Sequence, residues 1–104
     1  MFIPFTVLTI GSVLTVSTID RVPSLDTRPT CAGAAQEISV TRTVEACQLS
    51  EQQARDALIA QWHSFPSADR TTCVGTTKIG GFPSYVQVLT CLEIARDART
   101  MKVD

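Results

Sequence analysis

Cys31, Cys47, Cys73 and Cys91 stand 16, 26 and 18 positions apart in a chain of 104 residues. An even number of widely spaced cysteines in so short a chain reads as a disulfide framework, made for an oxidising compartment. Structural zinc sites bring thiolates in close pairs such as C-x-x-C, so that one turn supplies two ligands. No such pair exists here, and no metal is expected. Without its leading segment the chain keeps roughly 75 to 85 residues, a size at which a hydrophobic core alone is marginal. One bridge closing a loop of about 15 to 20 residues contributes about 3 kcal/mol in the chain-entropy description. Two bridges therefore rival the whole stability of such a domain. Four cysteines allow three pairings. The favoured one is Cys31–Cys47 with Cys73–Cys91, tying an N-terminal arm to the first long helix and crossing a helix–helix turn. Cys47–Cys91 with Cys31–Cys73 is the rival, and the sequence does not decide between them.

Charge removes two classes of function. Nine basic residues oppose ten acidic ones, for a formal net charge of -1, and the lysines are Lys78 and Lys102 alone. Nucleic-acid binding needs a basic stripe that displaces counterions from phosphates. No lysine or arginine run supplies one, and the same absence argues against a polybasic membrane-surface role.

Residues 1–19 form an apolar leader whose core runs from Phe2 to Val16. Its length suits a signal-peptide h-region and is short for a membrane span. No Lys or Arg precedes it, and the first basic residue, Arg21, follows it. The expectation is export, with cleavage near Ser17 to Thr18. A membrane anchor and a structural strand of a cytosolic protein are the alternatives.

Residues 20–42 read as an irregular arm, because Pro23, Pro29 and Gly33 interrupt any sustained period. Residues 43–104 read as a helical domain. Thr43 is a candidate N-cap with Glu45 in the first turn, and a helix over 44–64 follows. Its buried stripe is Val44, Cys47, Ala54, Leu58, Trp62 and Phe65. Glu51 and Arg55 are spaced as a surface pair contributing about 0.3 kcal/mol. Pro66 ends this helix, and Ser67 is expected to cap a second over 67–76, with Cys73 near its end. Gly80-Gly81 forces a break. Ser84 and Gln87 make an S-x-x-Q capping box for a third helix over 84–99. Val88, Cys91, Leu92, Ala95 and Ala98 form its stripe, with Tyr85 and Leu89 at the edge. The fold expected is all-α: a small three-helix disulfide-bonded domain with an irregular N-terminal arm.

The segment from Cys47 to Arg99, with the residues just before it, resembles small exported four-cysteine helical proteins of unknown function from alphaproteobacteria. Thr43-Val44-Glu45-Ala46-Cys47, Gln61-Trp62 with Phe65-Pro66, and Ala68-Asp69-Arg70 with Cys73 carry the resemblance. Gly80-Gly81-Phe82-Pro83-Ser84-Tyr85-Val86, Leu89-Thr90-Cys91-Leu92-Glu93 and Ala95-Arg96 complete it. The resemblance implies export and a compact helical module, and it implies no activity. The chain departs from that group at the front, where Met1 to Ile19 is a poor signal peptide; a misassigned start codon would account for this.

No constellation spells out a reaction. The one histidine, His63, sits beside Trp62 at the end of the first long helix, where a positive charge is tolerated. A Cys–His nucleophile would need a free, activated thiol. Nucleophile elbows, zinc-protease pairs and phosphate loops are absent, and no cofactor is expected. Trp62, Phe65, Phe82 and Tyr85 bracket the two turns, with Arg70 close by. They read first as an aromatic core, and otherwise as a partner-binding patch rimmed by Arg70. The function expected is a non-catalytic periplasmic or secreted module, structural or protein-binding, with an envelope protein as the partner. A small cysteine-dependent thiol-redox enzyme and a membrane-tethered subunit of an envelope complex, held at the inner membrane by residues 1–19, are the alternatives.

Overall fold

A computed structural model describes residues 20–35 and 43–101. The apolar leader, the stretch 36–42 of the arm and residues 102–104 lie outside the described residues. The chain is all-helical in what is described: α1 (Arg28–Ala35), α2 (Val44–Gln61), α3 (Ser67–Lys78) and α4 (Tyr85–Thr100). A short 3-10 turn, Trp62–Ser64, closes α2.

Local chemistry sets each boundary. The Thr43 hydroxyl accepts the Ala46 N–H at 2.9 Å, as a Thr N-cap should. The C-terminal end of α2 tightens, and the Phe65 N–H donates to the Trp62 carbonyl at 3.2 Å. Phe65 then turns extended (φ -90°, ψ 141°), as a residue before proline prefers. The cap of α3 is Pro66 and not Ser67; the Pro66 carbonyl accepts the Arg70 N–H at 3.0 Å, and Ser67 is already helical. Gly80 and Gly81 take φ values of 96° and 81°, which side chains with a Cβ resist. Beyond them Ser84 caps α4, its hydroxyl accepting the Gln87 N–H at 3.1 Å.

The arm is irregular from 20 to 27 and then holds α1, a helix the sequence reading did not anticipate. Pro29 falls in its first turn, where a missing N–H costs nothing. Asp26 Oδ1 accepts the Arg28 N–H at 3.1 Å, and the Cys31 N–H bonds to the Thr27 carbonyl at 3.0 Å. Alanines at 32, 34 and 35 favour the continuation.

The three long helices form an up–down–up bundle. Glu51 meets Tyr85 and Gln61 meets Arg96, so α2 and α4 run the same way. Asp69 meets Arg99 while Thr77 meets Ser84, so α3 runs against α4. The core joins Ala54, Leu58, Trp62 and Phe65 to Cys73, Val74, Tyr85, Val88 and Leu92. Val22 and Leu25 of the arm pack onto it. Two stripe residues depart from expectation. Val44 and Ala98 are exposed, because burial on α2 spans Cys47 to Leu58 and on α4 spans Tyr85 to Leu92.

Both bridges take the favoured pairing, Cys31–Cys47 and Cys73–Cys91, with Cα–Cα separations of 5.4 and 5.7 Å. The first joins α1 to α2, and the second joins α3 to α4. No cysteine is left free. No helix among the described residues is long and apolar enough to cross a membrane.

Candidate partner-binding cleft

A buried carboxylate organises the site. Glu51, expected on the surface beside Arg55, is instead 5 % exposed and turned toward the start of α4. Its Oε1 accepts the Tyr85 N–H and its Oε2 accepts the Ser84 hydroxyl, both at 2.6 Å. The first N–H groups of a helix have no partner inside it and carry partial positive charge, so a carboxylate there is doubly favoured. Thr77 completes the network: its hydroxyl accepts the Ser84 N–H at 2.9 Å and donates to Gln87 Oε1 at 2.6 Å. The Gln87 side chain is therefore spent on Thr77 rather than reaching back in the reciprocal capping-box manner.

This network fixes the start of α4, and the Tyr85 side chain there holds the arm. Its phenol accepts the Leu25 N–H at 2.7 Å and donates to the Pro23 carbonyl at 3.1 Å. Thr30 donates to the Pro83 carbonyl at 2.6 Å, and Thr27 donates to Gln48 at 3.2 Å. With the Cys31–Cys47 bridge, these contacts press the arm against α2 and the start of α4.

Where the arm meets α2 a half-open cleft of about 310 Å³ remains. Arg21 and Val22 of the arm line it, facing Arg55, Ile59, Trp62 and His63. Arg55 and Ile59 lie one turn apart on α2, and His63 follows in the 3-10 turn. Buried Trp62 contributes apolar floor, and Ile59 is 52 % exposed. The Arg55 guanidinium rests over the Tyr85 ring, 5.9 Å from its centroid, a geometry that orients a planar cation without neutralising it. Among the described residues the ion pairs are Arg28–Asp26, Arg96–Asp97 and Arg99–Asp69, so Arg21, Arg55 and His63 take no part in one.

The five residues singled out for partner binding separate into three environments. Trp62, Phe65 and Tyr85 are core, each buried. Phe82 is 57 % exposed and stands apart from them, against α1 near Gly33. Arg70 lies over the Trp62 ring, 5.6 Å from the centroid. Arg96 stacks in the same way over Phe65 at 5.4 Å. The reading from sequence missed Arg21, Val22, Arg55 and Ile59. The Arg55–Ile59 spacing of one turn was available as a signal, whereas nothing in the arm announced that Arg21 would return to α2.

Guanidinium groups offer forked donors that match a carboxylate, and Val22, Ile59 and Trp62 offer an apolar wall. All four cysteines are bonded, and no cluster of metal-ligating side chains occurs among the described residues. Comparison with protein-family models, with curated proteins and with solved structures gives no match.

Proposed function

We propose that this protein is an exported, non-catalytic module that binds another protein outside the cytoplasm. Two disulfides are compatible with a periplasmic or extracellular location, since such bonds persist where thiols are not kept reduced. The resemblance to small exported four-cysteine proteins points the same way. One observation carries the binding half of the reading: the arm is fastened by a bridge and a tyrosine clamp so that a cleft with two arginines stays open beside it. A fold that only needed to close its core would gain by filling that space.

The test combines location with binding. The oxidised domain, immobilised, is exposed to envelope extract, and any enriched protein is purified and rebound in isolation. Retention of one purified envelope protein by the wild type, with loss on Arg55→Ala, is the expected result. Recovery of the native chain from cells with four free thiols would contradict the export half. Absence of any partner that rebinds when pure would contradict the binding half.

A further inference from the structure

We propose that the cleft takes the free C-terminal carboxylate of a partner polypeptide whose last residue is apolar. The proposal rests on the protein-binding reading and names what is bound.

Charge complementarity selects a carboxylate. Arg21 from the arm and Arg55 from α2 both line the cleft, as does His63. No carboxylate among the described residues answers them. Asp56, next to Arg55 in sequence, accepts a hydrogen bond from Gln52 at 3.2 Å and does not line the cleft. Asp20 is exposed at the start of the described arm and is likewise absent from the lining. Glu51 is committed to the start of α4. Two guanidinium groups with no counter-charge among the described residues, lining the cleft together with Val22, Ile59 and Trp62, match a ligand that joins one anionic group to one apolar body.

Size and shape then select a chain end. A volume of about 310 Å³ lies at the small end of ligand sites, which run from about 300 to 1,000 Å³. It admits one apolar side chain with its carboxylate and excludes a folded segment. Because the cleft is half-open, the rest of a chain can leave toward solvent. Capture of a C-terminal carboxylate is an established mode of peptide recognition. Here arginine side chains would supply the donors. Val22, Ile59 and Trp62 supply the apolar lining that would receive the last side chain.

Fluorescence polarisation on the full oxidised chain tests the proposal with a labelled hexapeptide, Gly-Ser-Gly-Ser-Ala-Leu, as free acid and as C-terminal amide. The free acid is expected to bind, and the amide to bind at least about tenfold more weakly, since hydrogen bonds to a charged group carry that much. Arg21→Gln and Arg55→Gln should each weaken the acid by about tenfold and leave the amide unchanged. Arg55→Lys keeps the charge but loses the fork, and should fall between. Melting temperatures check that the variants are folded, and Arg21→Gln is the safer of them because Arg21 is exposed. Equal binding of acid and amide, binding indifferent to both arginine variants, or no binding of the acid at millimolar concentration would each overturn the proposal. The small acid 4-methylpentanoate, binding as tightly as the peptide, would also overturn it by assigning the cleft to a metabolite. A purified envelope partner retained equally by the Arg21→Gln and Arg55→Gln proteins would remove this inference and leave the protein-binding reading standing.

Discussion

Glu51 accepts the backbone N–H of Tyr85 at 2.6 Å, joining the middle of α2 to the first turn of a helix 34 residues further along. Through this contact a helix that carries no acidic residue in its own first turn obtains one from its neighbour. Glu51→Ala should cost about 3 kcal/mol, because the Tyr85 N–H and the Ser84 hydroxyl lose a charged acceptor in a buried site. Glu51→Gln should cost about 1 kcal/mol, since an amide oxygen still serves the Tyr85 N–H. Urea unfolding of the oxidised protein measures both. Values within about 0.5 kcal/mol of wild type, the range of neutral surface changes, would mean the carboxylate is not the cap.

The two bridges should divide their effects. Cys73→Ser with Cys91→Ser removes a staple between α3 and α4 and takes core atoms at Cys73 with it. Cys31→Ser with Cys47→Ser releases α1 from α2, while the core cluster contains neither residue. Each pair should lower global stability by about 3 kcal/mol in the chain-entropy description. Limited proteolysis distinguishes them: loss of Cys31–Cys47 should expose the arm to cleavage while residues 43–101 stay resistant. Equal protection of the arm in both variants would contradict this.

Tyr85→Phe should loosen the arm without unfolding the bundle. The phenol serves Leu25 and Pro23 together, and its removal should cost about 1 to 2 kcal/mol. Hydrogen exchange at the Leu25 amide reads the effect directly and should accelerate. Unchanged protection there would show that the arm is held by its apolar contacts alone.

Acid should act on the arm through Asp26. Its side-chain hydrogen bond from Arg28, followed by the backbone N–H of the same residue, lowers its pKa from 3.8 to about 2. A carboxylate whose folded pKa is depressed contributes above its unfolded pKa, and the contribution fades as pH falls toward the folded value. The support it gives to the start of α1 is therefore complete at neutrality and lost between about pH 4 and pH 2. Carbon-13 titration of the Asp26 carboxyl should give a midpoint near 2, and Asp26→Asn should remove the step from the shifts of Arg28. A midpoint near the ordinary value would contradict the contact.

The helices were legible wherever the chain punctuates itself. Thr43, Pro66, the Gly80-Gly81 pair and Ser84 mark ends by backbone chemistry that neighbours do not override. The bridges take the pairing favoured over its rival, a choice that the cysteine spacings alone did not decide. Glu51 was not legible, because spacing on one helix pairs it with Arg55, while its acceptors are satisfied by orphan donors on another. The helix α1 escaped because eight residues with two breakers carry no apolar period. Phe82 reads as core by residue type, yet it follows two glycines in left-handed conformation and emerges exposed. The cleft depends on where the arm lands. That is decided by the Tyr85 phenol and the first bridge, both long-range contacts without a local signature.

The account as a whole requires the arm to be covalently held on α2. Tryptic mapping of the unreduced protein measures this directly, because Arg42 and Lys78 separate the members of each bridged pair. The expected species are residues 22–42 joined to 43–55, and 71–78 joined to 79–96. A peptide carrying Cys31 joined to one carrying Cys73 or Cys91, or recovered as a free thiol, would contradict it.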